Sequence, residues 1–326
     1  MRTTVAIRNV VLALILQCGV AAVSAQTFPS RPIRIIVPFP GGSVTDVFTR
    51  IIGENMVPSL GGQVVLTEPR PGAGTEIGTR FLMAQPPDGY AIMYATPSLA
   101  IKSAQLKPPF DARKDVAAIG QLGDSGLFQV VNTKHPFKTA KELVDYARAN
   151  PGKLNMANYG VGTLSHLMGE LLMYKTGAKA VSVAYNGASA MGVALGQGDG
   201  DFGFNVTSAV AAFVQQGKVR VLAASRETRD PTNPDIPSMT ESGISGYNVT
   251  SWGGMAAPAG TPRDVILKLN AAINNSIHTP QVRGHFKNIG IGLVENISTP
   301  EVFTQTINTS VEEFSKVIRD ANLVFD

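Results

Sequence analysis

The sequence IIVPFPGGSVTD at residues 35–46 decides the expected fold. An apolar run leads into a Pro/Gly turn, and a helix is predicted to begin after Ser43, whose hydroxyl can cap it, with Asp46 three residues further on. A strand that passes directly into a helix is the basic unit of an α/β fold. Glycines let the backbone approach a ligand closely, and the free N–H groups of a helix start favour an anion such as a carboxylate.

Other interpretations of this stretch are weaker or stay open. It lacks the Gly-Lys-Ser/Thr of a phosphate-binding P-loop and the glycine spacing of a dinucleotide-binding fold. A plain strand-to-helix turn stays open, and in that case Asp46 does no more than cap the helix.

Short β-rich runs alternate with helical patterns along the rest of the chain. Buried strands are predicted at 33–37, 64–66, 91–94, 128–131, 181–183, 202–204 and 219–223. Helices are predicted at 44–57, 77–84, 140–149, 165–176 and 189–195. Thr139 and Glu142 form a capping box for the helix at 140–149. Thr261 and Pro262 supply an N-cap and a first-turn proline for a later helix. This alternation indicates parallel or mixed sheets flanked by helices.

The length and order of these elements predict two α/β lobes, the second inserted into the first. Residues 26–124 together with 247–326 form the expected first lobe, and residues 125–246 form the second. The segments 230–237 and 247–259 carry the chain back, so that the two lobes are joined by crossing strands.

The first 25 residues have the pattern of a cleaved signal peptide. Arg2 and Arg8 form a positive start, an apolar core of about 14 residues follows, and Val23-Ser24-Ala25 fits a cleavage site. The apolar stretch is shorter than the roughly 20 residues that span a bilayer, although an uncleaved N-terminal anchor stays open. We therefore expect export to the periplasm.

The single cysteine, Cys18, lies inside this peptide, with Gln17 where a lipid-attachment site has a small residue. The mature chain then has no disulfide and depends on its apolar core. Once Arg2 and Arg8 are removed from the 28 basic side chains, 26 remain against 24 acidic ones. Because no run of Lys and Arg is interleaved with aromatics, nucleic acid is not expected as a partner.

Polar residues follow several other predicted strands. Thr96 and Ser98 come after the strand at 91–94, at the end where open α/β sheets bind ligands, although short hydroxyls there are often only helix caps. Tyr185 and Asn205 each follow a strand of the second lobe, where they can line a cleft or merely turn the chain. For Trp252, core or hinge packing is the expected role.

A third loop precedes the helix predicted at 165–176. Gly162, Thr163 and Ser165 can present N–H groups and hydroxyls to an oxyanion, whereas a lone histidine such as His166 is more often packed or capping. Ser165 and His166 are also the one plausible catalytic pair for an exported hydrolase. The chain has no Gly-x-Ser-x-Gly elbow, and its four histidines lack metal-ligand spacing, so we expect neither an enzyme nor a metal site.

The whole chain from about residue 27 to 320 resembles the substrate-binding receptors of tripartite tricarboxylate transporters, also called Bug-type receptors. The order and spacing of its short motifs carry this resemblance. The motifs include PSRPIR (29–34), RPGAG (70–74), PDGY (87–90), PGKLN (151–155), GT (162–163) with SHL (165–167), GKVR (217–220), DIP (235–237), ESG (241–243), SWG (251–253) and APAGTP (257–262).

The resemblance implies a type II periplasmic-binding-protein fold of two α/β lobes that close on a small organic carboxylate. It implies a monomer that needs no cofactor and that delivers its ligand to integral-membrane transporter subunits. Carried over position by position, it assigns the ligand site to three loops and two facing residues: Phe39, Gly41, Gly42, Ser43 and Asp46; Thr96 and Ser98; Gly162, Thr163, Ser165 and His166; Tyr185 and Asn205.

Two departures from the family pattern affect this site. Gly41 and Gly42 lie one residue earlier than in many members, although the spacing from Phe39 to Asp46 is unchanged. Pro69 replaces the Asn that commonly precedes Arg-Pro-Gly, and proline has no backbone donor. The ligand stays open among a di- or tricarboxylate, an aromatic carboxylate and an amino acid, and a sensing role in the same cleft is an alternative to uptake.

Overall fold

The computed structural model describes residues 28–288, 292–294 and 298–325. The predicted signal peptide at 1–25, with Cys18, lies outside the described residues. Arg31–Asp326 forms one compact unit, separate from Met1–Ser30. This larger unit contains two mixed sheets flanked by helices, which confirms the predicted α/β class.

A six-stranded sheet is built from both ends of the unit. In spatial order its strands are β11 (Gly292–Leu293), β4 (Val116–Ser125), β10 (Ser251–Pro258), β3 (Ala91–Ala95), β1 (Ile33–Val37) and β2 (Val65–Pro69). The strands β1 and β3 are parallel, and β10 pairs antiparallel with β3 and β4.

A five-stranded sheet is built from the middle of the chain. In spatial order its strands are β7 (Val181–Ala184), β6 (Asn155–Asn158), β8 (Phe202–Asn205), β5 (Phe128–Asn132) and β9 (Val219–Ala224). Strand β6 is parallel to β7 and β8, whereas β5 is antiparallel to β8 and β9.

Helices cover the faces of both sheets. Around the six-stranded sheet they are α1 (Val44–Met56), α2 (Glu76–Met83), α3 (Pro97–Ser103), α4 (Ala112–Asp115), α9 (Arg263–Ile277), α10 (Pro280–Asn288) and α11 (Pro300–Asp320). Around the five-stranded sheet they are α5 (Ala140–Ala149), α6 (Leu164–Thr176), α7 (Ala188–Gln197) and α8 (Thr207–Gln215). Short 3₁₀ turns lie at Val57–Leu60 and Ala73–Thr75.

The chain passes from the six-stranded to the five-stranded sheet between β4 and β5, and it returns between β9 and β10. One apolar core contains buried side chains of both sheets and of the elements that pack on them, and it includes Ile36 and Phe303 as well as Phe202 and Tyr247. A second, smaller cluster lies on the five-stranded sheet around Phe128. The division into lobes at 26–124 plus 247–326 and at 125–246 stays a prediction.

Three local predictions are wrong. The strands near 64–66 and 181–183 were expected to be buried, but β2 and β7 are edge strands of their sheets. Val64 and Leu66 are exposed, and the side chains of β7 are largely exposed. Thr261 does not cap α9, because its hydroxyl donates to the carbonyl of Pro258 at 2.8 Å and Pro262 precedes the first helical residue. The Thr139 cap is confirmed, since the hydroxyl accepts the N–H of Glu142 at 3.1 Å.

Candidate ligand-binding site

Loops from the two sheets converge on a pair of adjoining cavities. Most of the lining comes from loops that follow the carboxyl ends of β1, β2, β3, β6, β7 and β8, and residues of β4 and β10 add to it. The inner cavity has a volume of about 100 Å³ and the outer cavity about 800 Å³. Phe39, Tyr159 and Gly187 line both, so they form the boundary between the two spaces. This is the edge at which open α/β sheets bind ligands.

The inner cavity is apolar and nearly uncharged. Among the described residues that line it, Asp124 carries the only full charge, and its carboxylate pairs with Arg226 at 3.0 Å. The rest of the lining consists of aromatic and aliphatic groups with a few hydroxyls: Phe39, Ser43, Val44, Thr45, Phe48, Tyr94, Thr96, Pro97, Ser98, Leu122, Gly123, Tyr159, Leu164, Gly187, Ala188, Val206, Ser251, Trp252, Gly253 and Phe286.

Besides the short helix α3, three helices of ten or more residues begin at this lining. Val44 and Thr45 begin α1, Leu164 begins α6, and Ala188 begins α7. The first N–H groups of a helix have no intrahelical acceptor and carry the positive end of the helix dipole. Three such ends at one small cavity make its surroundings favourable for an anion without any positively charged side chain.

The loop after β1 is held by its own side chains. Ser43 caps α1 by accepting the N–H of Asp46 at 3.2 Å, and the buried Asp46 carboxylate accepts the N–H of Gly42 at 2.9 Å. Arg50 pairs with the same carboxylate at 3.3 Å. Asp46 and Gly42 therefore shape the loop, and the N–H of Gly42 already has an acceptor.

The loop after β6 is held in the same way. Gly160 donates its N–H to the Asn158 side chain at 2.9 Å, and the Thr163 hydroxyl donates to the Gly160 carbonyl at 2.6 Å. Gly162 donates its N–H to Nδ1 of His166 at 3.2 Å, which requires a ring without a proton on that nitrogen. Burial, with a smaller contribution from Lys102, lowers the pKa of His166 to about 4, so its ring is neutral at pH 7.

Ser165 and His166 do not form a nucleophile and base. The Ser165 hydroxyl is buried and donates to the carbonyl of Phe204 at 2.6 Å, which ties the start of α6 to β8. Nε2 of His166 faces Glu170 at 3.6 Å, and its Nδ1 serves Gly162. A hydrolytic serine needs a base within hydrogen-bond reach of its hydroxyl, and here the partner is a backbone carbonyl.

Residues 48–323 match the sequence profile described as the tripartite tricarboxylate transporter family receptor, TctC. The chain belongs to this receptor family. Protein BugT from Bordetella pertussis is 32% identical over 306 residues, which is 93% of each chain. The solved structure of the periplasmic binding protein BugD is 30% identical with a TM-score of 0.83, over 90% of this chain and 99% of that one. MatC from Rhodopseudomonas palustris, solved with bound malate, is 27% identical with a TM-score of 0.83, over 89% and 100%.

The protein is thus a solute-binding receptor of the TctC/Bug type, and its fold matches that of periplasmic binding proteins. Within the part of the chain that the structure describes, no helix is both long and apolar enough to cross a bilayer. The same described residues contain no group of three or more His, Cys, Asp or Glu side chains placed to hold a metal ion.

The receptor brings some of the predicted ligand residues to the cavities and not others. Phe39, Ser43, Thr96 and Ser98 line the inner cavity, and Phe39, Thr163 and Tyr185 line the outer one. The remaining predicted residues line neither cavity: Gly41, Gly42, Asp46, Gly162, Ser165, His166 and Asn205. Asn205 has a supporting role, since its amide donates to the Ala188 carbonyl at 3.0 Å and accepts the N–H of Val206 at 2.9 Å.

Sequence reasoning missed several aromatic groups of the inner cavity. Phe48 packs edge-on against Tyr94 with ring centroids 4.8 Å apart, and Trp252 reaches the cavity while donating its indole N–H to Ser310 at 2.9 Å. Burial raises the pKa of Tyr94, with a smaller contribution from Tyr159, and burial also raises the pKa of Tyr159. Both phenols are therefore neutral at pH 7, and a neutral phenol does not repel a carboxylate.

Proposed function

We propose that this receptor captures a small carboxylate-bearing molecule in its inner cavity and delivers it to a tripartite tricarboxylate-type membrane transporter. The observation that carries the proposal is the convergence of three helix starts on a small, nearly uncharged cavity. A carboxylate there accepts hydrogen bonds from backbone N–H groups and from hydroxyls such as those of Ser43, Thr96 and Ser98. Bridging water completes its coordination.

The apolar part of the lining suits the hydrocarbon portion of an organic acid. Phe39, Phe48, Tyr94, Tyr159 and Trp252 surround the cavity with aromatic surface. Burial of that portion supplies affinity, and the N–H groups and hydroxyls select for the carboxylate. Ser165 lies outside this lining, and its hydroxyl is bonded to a backbone carbonyl, which supports a receptor that releases its ligand unchanged.

Capture requires that the two halves of the receptor close on the ligand. Loops of the two sheets meet beside the outer cavity, where a β-carbon at Gly74 would lie only 2.1 Å from the carbonyl oxygen of Val161. We assign the moving lobes to 26–124 plus 247–326 and to 125–246, with the two passages between the sheets as hinges. The predicted signal peptide, together with the family, supports a periplasmic location for a monomeric receptor.

A thermal-shift screen of the mature receptor against organic acids tests binding. A ligand that binds only the folded state stabilises it by RT ln(1 + [L]/Kd), which is about 2.7 kcal/mol at 100 times Kd. We expect at least one mono-, di- or tricarboxylate to raise the melting temperature in a saturable way. If none of them does, and the receptor instead turns over an ester substrate, the proposal is wrong.

Uptake of the acid found in that screen tests delivery. Cells that lack the receptor should lose saturable uptake of the labelled acid, and the wild-type gene should restore it. A Ser43→Trp variant, which fills the inner cavity, should fail to restore uptake although it is exported normally. Normal uptake without the receptor, combined with loss of a transcriptional response to the acid, would instead support the sensing role.

A further inference from the structure

A turn of defined geometry sets the course of the chain after α11. Asn322 has a left-handed backbone with φ +48°, a conformation that asparagine adopts more readily than most residues. Its N–H donates to the carbonyl of Arg319 at 3.1 Å, and the N–H of Leu323 donates to the carbonyl of Ile318 at 2.9 Å. These are the two hydrogen bonds of a Schellman motif, which ends a helix and directs the residues that follow it. The tail, residues 323–325, therefore leaves the helix in one fixed direction.

The tail is held at two points. Leu323 and Phe325 are both partly buried against the larger apolar core, whereas Val324 between them is 62% exposed. The tail and residues 105–107 together line a space of about 310 Å³. The tail is therefore not tightly packed along its length, and the side chain of Phe325 has room to move away from its present position.

The ring of Phe325 joins the two halves of the receptor. The tail follows α11, which covers the six-stranded sheet, whereas His166 lies in the first turn of α6, which covers the five-stranded sheet. The ring centroids of Phe325 and His166 are 5.2 Å apart at an interplanar angle of 66°, an edge-to-face arrangement. His166 is only 7% exposed, and its Nδ1 accepts the N–H of Gly162. Phe325 thus packs on a side chain that the loop after β6 holds in place.

Phe325 also lies on the way out of the inner cavity. Phe39, Tyr159 and Gly187 line both cavities, so a molecule that leaves the inner cavity past them enters the outer one. Phe325 lines that outer cavity. Since its ring and the ring of His166 belong to different halves, their contact is lost when the halves move apart.

We propose that Phe325 is a gate residue, whose ring closes the outer cavity of the closed receptor and slows the release of the bound acid. This inference rests on the proposed function, because it takes capture in the inner cavity and closure of the two halves as given. The contact with His166 exists only when the halves meet. Its loss should therefore accelerate release without changing entry into the open receptor, as is usual when a contact of the final complex is removed.

Stopped-flow fluorescence of Trp252, which lines the inner cavity, measures both rate constants. The probe is the tightest binder in a thermal-shift screen that includes succinate, citrate, benzoate and glutamate. Mixing with increasing concentrations of that acid gives kon, and dilution of the complex gives koff. Phe325→Ala removes the ring, and Phe325→Leu keeps an apolar side chain but not the aromatic contact. Val324→Ala is the matched control, because Val324 is the exposed neighbour and lies outside the lining of the outer cavity.

We expect Phe325→Ala to raise koff about tenfold, equivalent to about 1.4 kcal/mol, and to leave kon within about twofold of the wild type. Phe325→Leu should raise koff by about threefold, because it loses the edge-to-face contact but keeps apolar packing. Val324→Ala should keep both rate constants within about twofold of the wild type. Urea unfolding of each ligand-free variant shows whether the change also affects the fold.

Three results would overturn the inference, and they differ in what they leave standing. An unchanged koff in Phe325→Ala refutes the gate but not carboxylate capture. A fall in kon together with a lower unfolding free energy assigns Phe325 a purely structural role, and this also refutes the gate. Absence of any change in melting temperature or Trp252 emission with every acid of the screen contradicts the proposed function itself, and the gate with it.

Discussion

Substitution of Gly74 by alanine tests whether the loops of the two sheets must meet when ligand binds. Gly74 has φ +59° and lies against Val161, whose carbonyl oxygen would be 2.1 Å from a new β-carbon. Real β-carbon contacts essentially never fall below 3.0 Å, so the two loops must separate by at least about 0.9 Å. Overpacking of this kind typically costs about 1–3 kcal/mol, and under the proposed closure it falls on the closed state alone.

We therefore expect Gly74→Ala to weaken binding of the acid found in the thermal-shift screen by about 5- to 150-fold. The left-handed backbone of residue 74 also disfavours alanine, by about 1–2 kcal/mol, in both the open and the closed state. Gly61→Ala is the matched control, because Gly61 has φ +65° and no atom within 4 Å of a new β-carbon. It should lose similar stability in urea unfolding but keep the wild-type Kd.

Titration calorimetry on the wild type and on both variants gives the decisive comparison. A Gly74→Ala variant that binds as tightly as Gly61→Ala would show that the contact between residues 74 and 161 is not part of the liganded state. The proposed closure would then have to involve other loops.

Three further predictions concern stability, each measured by urea unfolding. Tyr247→Phe should lose about 0.5–1.5 kcal/mol, because the buried Tyr247 hydroxyl donates to the carbonyl of Met168 at 2.7 Å and this hydrogen bond would be lost. Asp46→Ala should lose about 1–2 kcal/mol, since its carboxylate accepts the N–H of Gly42 at 2.9 Å. The pKa of His166 is about 4 in the folded receptor and about 6.5 when unfolded. Between those values the unfolded chain binds more protons, so stability should fall by about 2 kcal/mol from pH 7 to pH 5 through this residue.

Each of these predictions has a result that contradicts it. An unchanged unfolding free energy in Tyr247→Phe would mean that the hydrogen bond from the Tyr247 hydroxyl contributes nothing to the net stability. The same result in Asp46→Ala would mean that the capping hydroxyl of Ser43 holds the loop alone. For His166, the difference between the wild type and His166→Gln isolates the residue. Equal pH slopes in the two proteins would contradict the buried, neutral ring.

The framework of the site could be predicted because it rests on local patterns. The strand and turn at 35–46 predicted the cap at Ser43, and the structure shows both the cap and the strand that precedes it. Thr96 and Ser98 follow β3 as expected and line the inner cavity. In each case a strand end and a helix start are adjacent in the chain, so short-range rules suffice to identify them.

Other elements lack the local signal on which such rules depend. Strand β6 has the sequence Asn-Met-Ala-Asn without a β-branched residue, and β10 contains two adjacent glycines. Both strands pair on each side with neighbours in their sheets, and that pairing, which depends on distant segments, determines their conformation. The same applies to the outer cavity, where Lys102 and Gly74 meet a loop of the other sheet at Val161 and Gly162.

The supporting residues show a different limit of sequence reasoning. Asp46, His166 and Asn205 have side chains that can contact a carboxylate or a hydrogen-bond donor of a ligand. In the structure these side chains bond to backbone groups of the loops that line the cavities. Spacing along the chain does not distinguish a residue that touches the ligand from one that holds the loop, because both lie within a few positions of the same turn.

A fluorescence titration of Trp252 tests carboxylate capture most directly. Trp252 is the only tryptophan in the sequence and lines the inner cavity, so its emission reports on that cavity alone. The titrants are an organic acid that stabilises the receptor and its neutral carboxamide, which has nearly the same shape. Carboxylate capture predicts a saturable change in Trp252 emission with a Kd at least tenfold lower for the acid. Equal affinity for acid and amide, or tight binding of the acid by calorimetry without any change in Trp252 emission, would contradict it.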